Sequence, residues 1–130
     1  MSDLMQSLAI SSSGMRAQAT RLRHVAENIA NVDTPGFRRK TVAFTTEQLP
    51  GSDATVVSTG RVRLARSDLQ LDYAPSHTQA DETGHYDGSN VNLTVEIADS
   101  REAQRSYEAN LKMFDQARKM SGALLELLKR

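Results

Sequence analysis

The run Asn28-Ile29-Ala30-Asn31-Val32-Asp33-Thr34-Pro35-Gly36-Phe37 decides how this chain is organised. Upstream of it, Leu4, Leu8, Ser11, Met15, Gln18, Leu22, Val25 and Ile29 alternate at four- and three-residue intervals, the spacing of a coiled-coil seam. Within the run, Pro35 disfavours the α conformation for Thr34, so the helix is expected to stop between Asn31 and Asp33. Pro35-Gly36 fits the central pair of a type II turn, with Gly36 supplying the positive φ. Beyond the turn, Arg38-Arg39-Lys40 leads into the alternation of Val42 and Phe44, a short extended segment. The cluster reads either as a solvated exit from the turn or as an electrostatic contact to an acidic patch of another subunit.

A second stripe closes the chain: Ala103, Tyr107, Asn110, Phe114, Ala117, Ser121, Leu124 and Leu128, widened by Met113, Met120 and Leu127. Glu108 with Lys112, Asp115 with Lys119 and Glu126 with Arg130 stand four apart in the favoured acid-first order, each worth ~0.2–0.5 kcal/mol. Asn92 or Thr94 suits the N-cap, and the early acids Glu96 and Asp99 suit the dipole, so the helix should run from near Thr94 almost to the end. Ser11 and Gln18 weaken the first seam, and neither helix buries enough apolar area to stand alone. Both need partners.

Between the stripes the signals are weaker. Pro50-Gly51-Ser52-Asp53 and Ser58-Thr59-Gly60 read as turns around Val56 and Val57, after which Val62, Leu64, Leu69, Leu71 and Tyr73 alternate as half-buried strands of a small hairpin would. Residues 74–89 are almost wholly polar and turn-forming, a long loop or linker that is functional or ordered only on binding.

Sixteen basic residues balance sixteen acidic ones, which argues against a nucleic-acid binder. The balance is local as well as global: residues 1–40 carry an excess of three positive charges, 41–92 an excess of four negative, and 93–130 one positive. The chain has no Cys and no Trp and only three Phe and three Tyr, a thin supply for an enzyme core. No basic region followed by an apolar run marks a cleaved signal, and nothing reaches the length of a membrane span, so direct membrane insertion is not expected. The chain is then expected to be cytoplasmic or to leave by a route that needs no such signal. His77, Asp81 and His85 have helical metal-ligand spacing, but Pro75, Gly84 and Gly88 make their segment a loop. Ser11-Ser12-Ser13 has no nearby base, and the glycines form no phosphate loop. No catalytic residue, cofactor or metal is expected.

At the end of the N-terminal helix, Ala26 through Phe37 resembles the signature of the bacterial flagellar axial proteins, the rod, hook and hook-associated subunits. The family's Asn-hydrophobic-Ala-Asn run, then Thr and Gly before an aromatic, is met by Asn28, Ile29, Ala30, Asn31, Thr34, Gly36 and Phe37, and Pro35 matches many members. At 130 residues, with no large inserted middle domain, the chain is similar to proximal rod proteins. Asn90-Val91-Asn92, followed by Arg105 through Asn110, and the loop holding Pro75, His77, Ala80, Asp81 and Gly84 resemble one proximal rod subunit, and the ending looks different in the sister rod protein FlgB. Thr78 and Ser89 depart from the family by standing where prolines are usual.

The expectation is therefore a mainly α fold in three parts: an N-terminal coiled-coil helix and turn motif (1–40), a small β and loop middle segment (41–92), and a C-terminal coiled-coil helix (93–130). Leu4, Leu8, Met15, Leu22, Val25, Ile29, Tyr107, Phe114, Leu124 and Leu128 form the seam. The resemblance implies a structural subunit of the proximal rod of the flagellar basal body, spanning the periplasm and exported without a cleaved signal by the flagellar type III apparatus. It implies as partners the rod subunits FlgB, FlgF and FlgG, the hook-basal body protein FliE, and further copies of the chain itself, with Phe37 set against a neighbour. The helices would complete their burial, and their folding, only on assembly. The rival expectation is a free-standing cytoplasmic coiled-coil adaptor.

Overall fold

Asn92 begins the longer of two helices: its side chain accepts hydrogen bonds from the Thr94 and Val95 amides at 3.0 and 3.4 Å. A computed structural model describes residues 3–129, in the order α1 (Asp3–Ala30), β1 (Lys40–Gln48), β2 (Thr55–Leu64), β3 (Leu71–Tyr73), β4 (His85–Asp87) and α2 (Leu93–Leu128). The two helices dominate, and they pack against each other in antiparallel sense. Asn28 meets Glu96, Arg21 meets Asp99 and Glu102, Gly14 meets Asn110, and Leu4 and Ser7 share a groove with Ala117 and Met120.

What lies between the helices is small or polar. Ser11, Gly14, Ala17, His24, Val25 and Asn28 are buried on α1, and Glu96, Ala103 and Ala117 on α2. On α2 the buried positions recur every seven residues, with the half-buried Asn110 filling the same phase. On α1 the buried line runs one residue ahead of several expected seam positions. Leu4, Leu8, Met15, Leu22 and Ile29 are half-buried on its flank, as are Tyr107 and Phe114 on α2. Close approach of the two backbones selects small side chains at the centre and displaces the larger ones sideways. Two buried polar atoms, Gln18 Oε1 and His24 Nδ1, lack a hydrogen-bond partner in this layer.

Leu124 and Leu128 are exposed, because the described part of α1 reaches only as far as Met120 on α2. At 1.5 Å per residue, the last eight residues of α2 extend about 12 Å beyond the described part of α1. On the solvent face, Asp115 pairs with Arg118 at 3.5 Å rather than with Lys119, and Arg130 lies outside the described residues.

The strands pair differently from the expectation. β1 and β2 form an antiparallel hairpin, with Lys40 opposite Leu64 and Gln48 opposite Thr55 and a register shift between Val42 and Phe44. Ser58-Thr59-Gly60 therefore continues the strand of Val56 and Val57 rather than forming a turn. The turn is Leu49-Pro50-Gly51-Ser52, in which Gly51 takes φ +71° and the Ser52 amide donates to the Leu49 carbonyl at 3.1 Å. The hairpin lies on α1, where the Val57 amide donates to Ser13 Oγ at 3.1 Å and that hydroxyl donates to the Ile10 carbonyl at 2.7 Å.

β3 pairs with β4, not with β2. Alternation in Val62, Leu64, Leu71 and Tyr73 reveals strands but not partners. Here the chain between them is prevented from doubling back, because Arg38 and Asn90 hold the Ala65 and Ser67 carbonyls at 3.0–3.1 Å. The expected loop 74–89 thus folds into a small lobe on β3 and β4, closed by stacking of His77 on Tyr86 at 4.0 Å between ring centroids. Among the described residues no group of three or more His, Asp or Glu side chains is placed to hold a metal ion, and no helix is long and apolar enough to cross a membrane.

The close approach at Gly14 is testable by a double-mutant cycle. A Cβ there would lie 2.7–2.8 Å from the Asn110 side-chain amide, which donates to the Ser106 carbonyl at 2.9 Å. Gly14→Ala is expected to cost ~1 kcal/mol by displacing Asn110. In an Asn110→Ala background the same change should stabilise by ~0.5–1 kcal/mol, the ordinary helix-propensity gain. Chemical denaturation of the four proteins reads the change of sign.

A candidate assembly corner

The motif residues converge on one corner where both helices, the hairpin and the lobe meet. Asn28, 1% exposed, is the centre. Its side chain pairs with the backbone of Lys40 as a neighbouring strand would: Nδ2 donates to the Lys40 carbonyl at 3.0 Å, and Oδ1 accepts from the Lys40 amide at 2.8 Å. The same Nδ2 donates to Glu96 Oε2 at 3.2 Å. One asparagine thereby ties the end of α1 to the start of β1 and to the first turn of α2.

Glu96 is 0% exposed, and a buried carboxylate demands partners. Arg39 supplies the charge, its Nε on Glu96 and its Nη2 on Asp99 at 2.6 Å. Asp99 also receives Arg21 from α1 at 3.4 Å. Lys40 completes the row by pairing with Glu27 at 2.6 Å, and this hydrogen bond holds the half-buried Glu27 carboxyl below its ordinary value. All three residues of the Arg38-Arg39-Lys40 cluster are therefore engaged within their own chain, Arg38 through the Ala65 and Ser67 carbonyls. For Arg39 and Lys40 that replaces the solvated reading, because the buried acid of α2 needs the cation locally.

The rest of the motif shapes the exit from α1. Asn31 Nδ2 donates to the Glu27 carbonyl at 2.8 Å and its Oδ1 accepts from the Thr34 hydroxyl at 3.0 Å, satisfying groups the helix end leaves open. The Phe37 amide closes the turn on the Thr34 carbonyl at 3.1 Å, with Gly36 at φ +75°. The Gly36 amide then donates to the Asp87 and Gly88 carbonyls, at 3.2 and 3.1 Å, which docks the lobe on the turn. Ser89 is buried and donates from its hydroxyl to the Val32 carbonyl. Ile29, Pro35 and Phe37 are half-buried, and Ala30, Thr34 and Gly36 exposed.

Glu96 was the least legible member from sequence, where it reads as an acid favoured by the helix dipole. The signal lay in its phase, seven residues before Ala103 and fourteen before Asn110. Extending the stripe back by one heptad places an acid on the buried line, and the adjacent arginines are its natural counterions.

Arg39→Ala would leave Glu96 buried without its cation and is expected to cost about 3 kcal/mol, the low end for a broken buried pair because the guanidinium is partly solvated. Arg39→Met with Glu96→Leu should recover most of that loss. Thermal or urea unfolding of the purified variants checks both.

Comparison with known proteins agrees with this layout. Residues 8–38, which span most of α1 and the turn, match the family described as flagella basal body rod protein. Residues 82–127, covering β4, the Glu96 and Asp99 side of the corner and nearly all of α2, match the flagellar basal body rod FlgEFG protein C-terminal family. The flagellar basal-body rod protein FlgC of Agrobacterium fabrum is 42% identical over 127 residues, covering 92% of this chain and 91% of its own length. Those of Aquifex aeolicus and Salmonella typhimurium are 37% and 30% identical, covering 88% and 85% of this chain and 89% and 87% of their own. These relatives are structural proteins and not enzymes, and the adaptor expectation gives way. The chain belongs to the FlgC family of flagellar basal-body rod proteins and is a structural subunit of the flagellar basal body.

Proposed function

We propose that this subunit belongs to the proximal part of the rod and assembles helically with other axial proteins, so that stacked helix pairs form a drive shaft around an export channel. The observation that carries this reading is the overhang of α2. Leu124, Leu125, Leu127 and Leu128 are each more than half exposed, and Met113 and Met120 continue the apolar surface towards α1. A single chain leaves this surface in water, and stacking against neighbouring helices would cover it.

In this reading the coiled-coil seam of Leu4, Leu8, Met15, Leu22, Val25, Ile29, Tyr107, Phe114, Leu124 and Leu128 is shared between copies and partners. The chain divides into a helix and turn (1–40), a β segment facing outward (41–92), and a second helix (93–130). The motif Asn28, Ile29, Ala30, Asn31, Thr34, Pro35, Gly36 and Phe37 acts in assembly by fixing the angle between helix pair and hairpin, with Phe37 and Pro35 free to touch a neighbour. FlgB, FlgF, FlgG and FliE are the proposed partners, the rod spans the periplasm, and the flagellar type III apparatus exports the chain unfolded under direction of its N-terminal region. Thin burial between the helices supports coupling of final ordering to assembly.

Leu124→Glu with Leu128→Glu separates the assembly role from folding. Both side chains are exposed in the isolated chain, so its unfolding free energy should change by less than ~0.5 kcal/mol. Swarming of a strain carrying the variant should be lost, and normal swarming would overturn the proposed packing. Deleting residues 1–10 should stop secretion of the chain into the medium by a rodless strain, and undiminished secretion would refute the export route.

A further inference from the structure

Charge along the middle of this chain is sharply divided. Between Arg66 and Arg101 there is no Lys or Arg, while Asp68, Asp72, Asp81, Glu82 and Asp87 crowd in and around the lobe. Just upstream the sign reverses. Arg38, Arg61, Arg63 and Arg66 line an open groove of about 850 Å³ along the base of the hairpin. Arg61, Arg63 and Arg66 make no ion pair among the described residues, and neither do Asp68, Asp72, Glu82 and Asp87.

Each surface also offers an apolar centre. Val62 and Leu64, 48% and 56% exposed, lie in the arginine groove. Leu71 and Tyr73, 66% and 67% exposed, share one face of β3 in the acidic lobe. An exposed apolar pair framed by one sign of charge, beside a second pair framed by the other, has the anatomy of two halves of an interface.

We propose that the arginine groove of one copy receives the acidic β3–β4 lobe of a second copy, with Val62 and Leu64 meeting Leu71 and Tyr73 inside a rim of opposite charges. The occupant is a second copy because both complementary halves are on this chain, whose net charge of zero lets copies approach without repulsion. Contact between unlike patches runs head to tail and leaves a free patch at each end, the arrangement that propagates a helical array. The proposal rests on the rod reading and adds to it the surface through which copies of this chain join. Electrostatics of this kind fixes orientation more than it supplies affinity, so the contact acts within an assembly already held by the helices.

The absence of cysteine makes a direct test available. Full-length chains carrying Arg63→Cys, Asp87→Cys or both replace the wild type in flagellated cells, and basal bodies are treated with a short bismaleimide. The doubly substituted chain should give a ladder of covalent dimers and larger oligomers, and each singly substituted chain only monomer. No ladder, a ladder ending at dimers, or dimers from a single substitution overturns the proposal. Independently, Arg61→Glu with Arg63→Glu should slow swarm expansion at least about fivefold, since like charges then face each other. Glu82→Lys with Asp87→Lys should do the same, and all four changes together should restore most of the rate. Wild-type swarming by the arginine variant, or failure of the combined variant to recover while its circular dichroism is unchanged, overturns the docking. Unimpaired swarming of a strain lacking the chain altogether would instead refute the rod reading, leaving the cross-link ladder to judge the contact between copies.

Discussion

A single buried carboxylate organises this subunit. Glu96 sits without solvent at the start of α2, and its charge is tolerable only because Arg39 faces it and Asn28 donates to it. Those partners come from the end of α1 and the start of β1. The requirement to neutralise one charge therefore fixes where the first helix ends, where the hairpin begins, and how the second helix is phased against the first. An apolar contact at this place would tolerate a slip of one turn; a hydrogen-bonded ion pair with three participants does not. Registry of this kind matters in a helix pair whose interior is otherwise small and permissive.

Both helices, the turn at Pro35-Gly36 and the N-cap at Asn92 were readable from sequence, because each follows from local chemistry. A proline blocks a helix, a glycine admits positive φ, and an asparagine caps amides within three residues. The strand pairing was not readable. Val62, Leu64, Leu71 and Tyr73 alternate as one hairpin would, but the side chains of Arg38 and Asn90, some 25 residues away on either side, hold the intervening carbonyls and send β3 to β4. Long-range side-chain hydrogen bonds of this kind leave no periodic trace.

The corner was half legible. Its motif residues stood out as a signature, yet the reason for them did not. Asn28 looks like one more polar residue on the flank of a seam until its amide is seen to imitate a strand edge for Lys40. Arg39 looks like surface charge until the depth of Glu96 is known. Apolar size is a poor guide to burial between these helices. In this pair Gly14, Ala17, Ala103 and Ala117 occupy the middle, and the leucines and methionines flank them.

The polar ties between the helices are unevenly distributed along their length. The ties of Asn28, Arg21, Arg39, Glu96 and Asp99 gather at one end, and beyond Gly14 the helices flank a groove lined by Leu4, Ser7, Ser11, Ala117 and Met120 beside Asp3, Lys112 and Gln116. The pair is thus fastened most firmly at the corner, where the buried charge of Glu96 is held. Local opening should become progressively easier from Glu96 towards Leu128, so that amide exchange in α2 traces a gradient rather than a plateau. A subunit with that gradient presents its most yielding end to whatever it joins, while the geometry at its fixed end is already set.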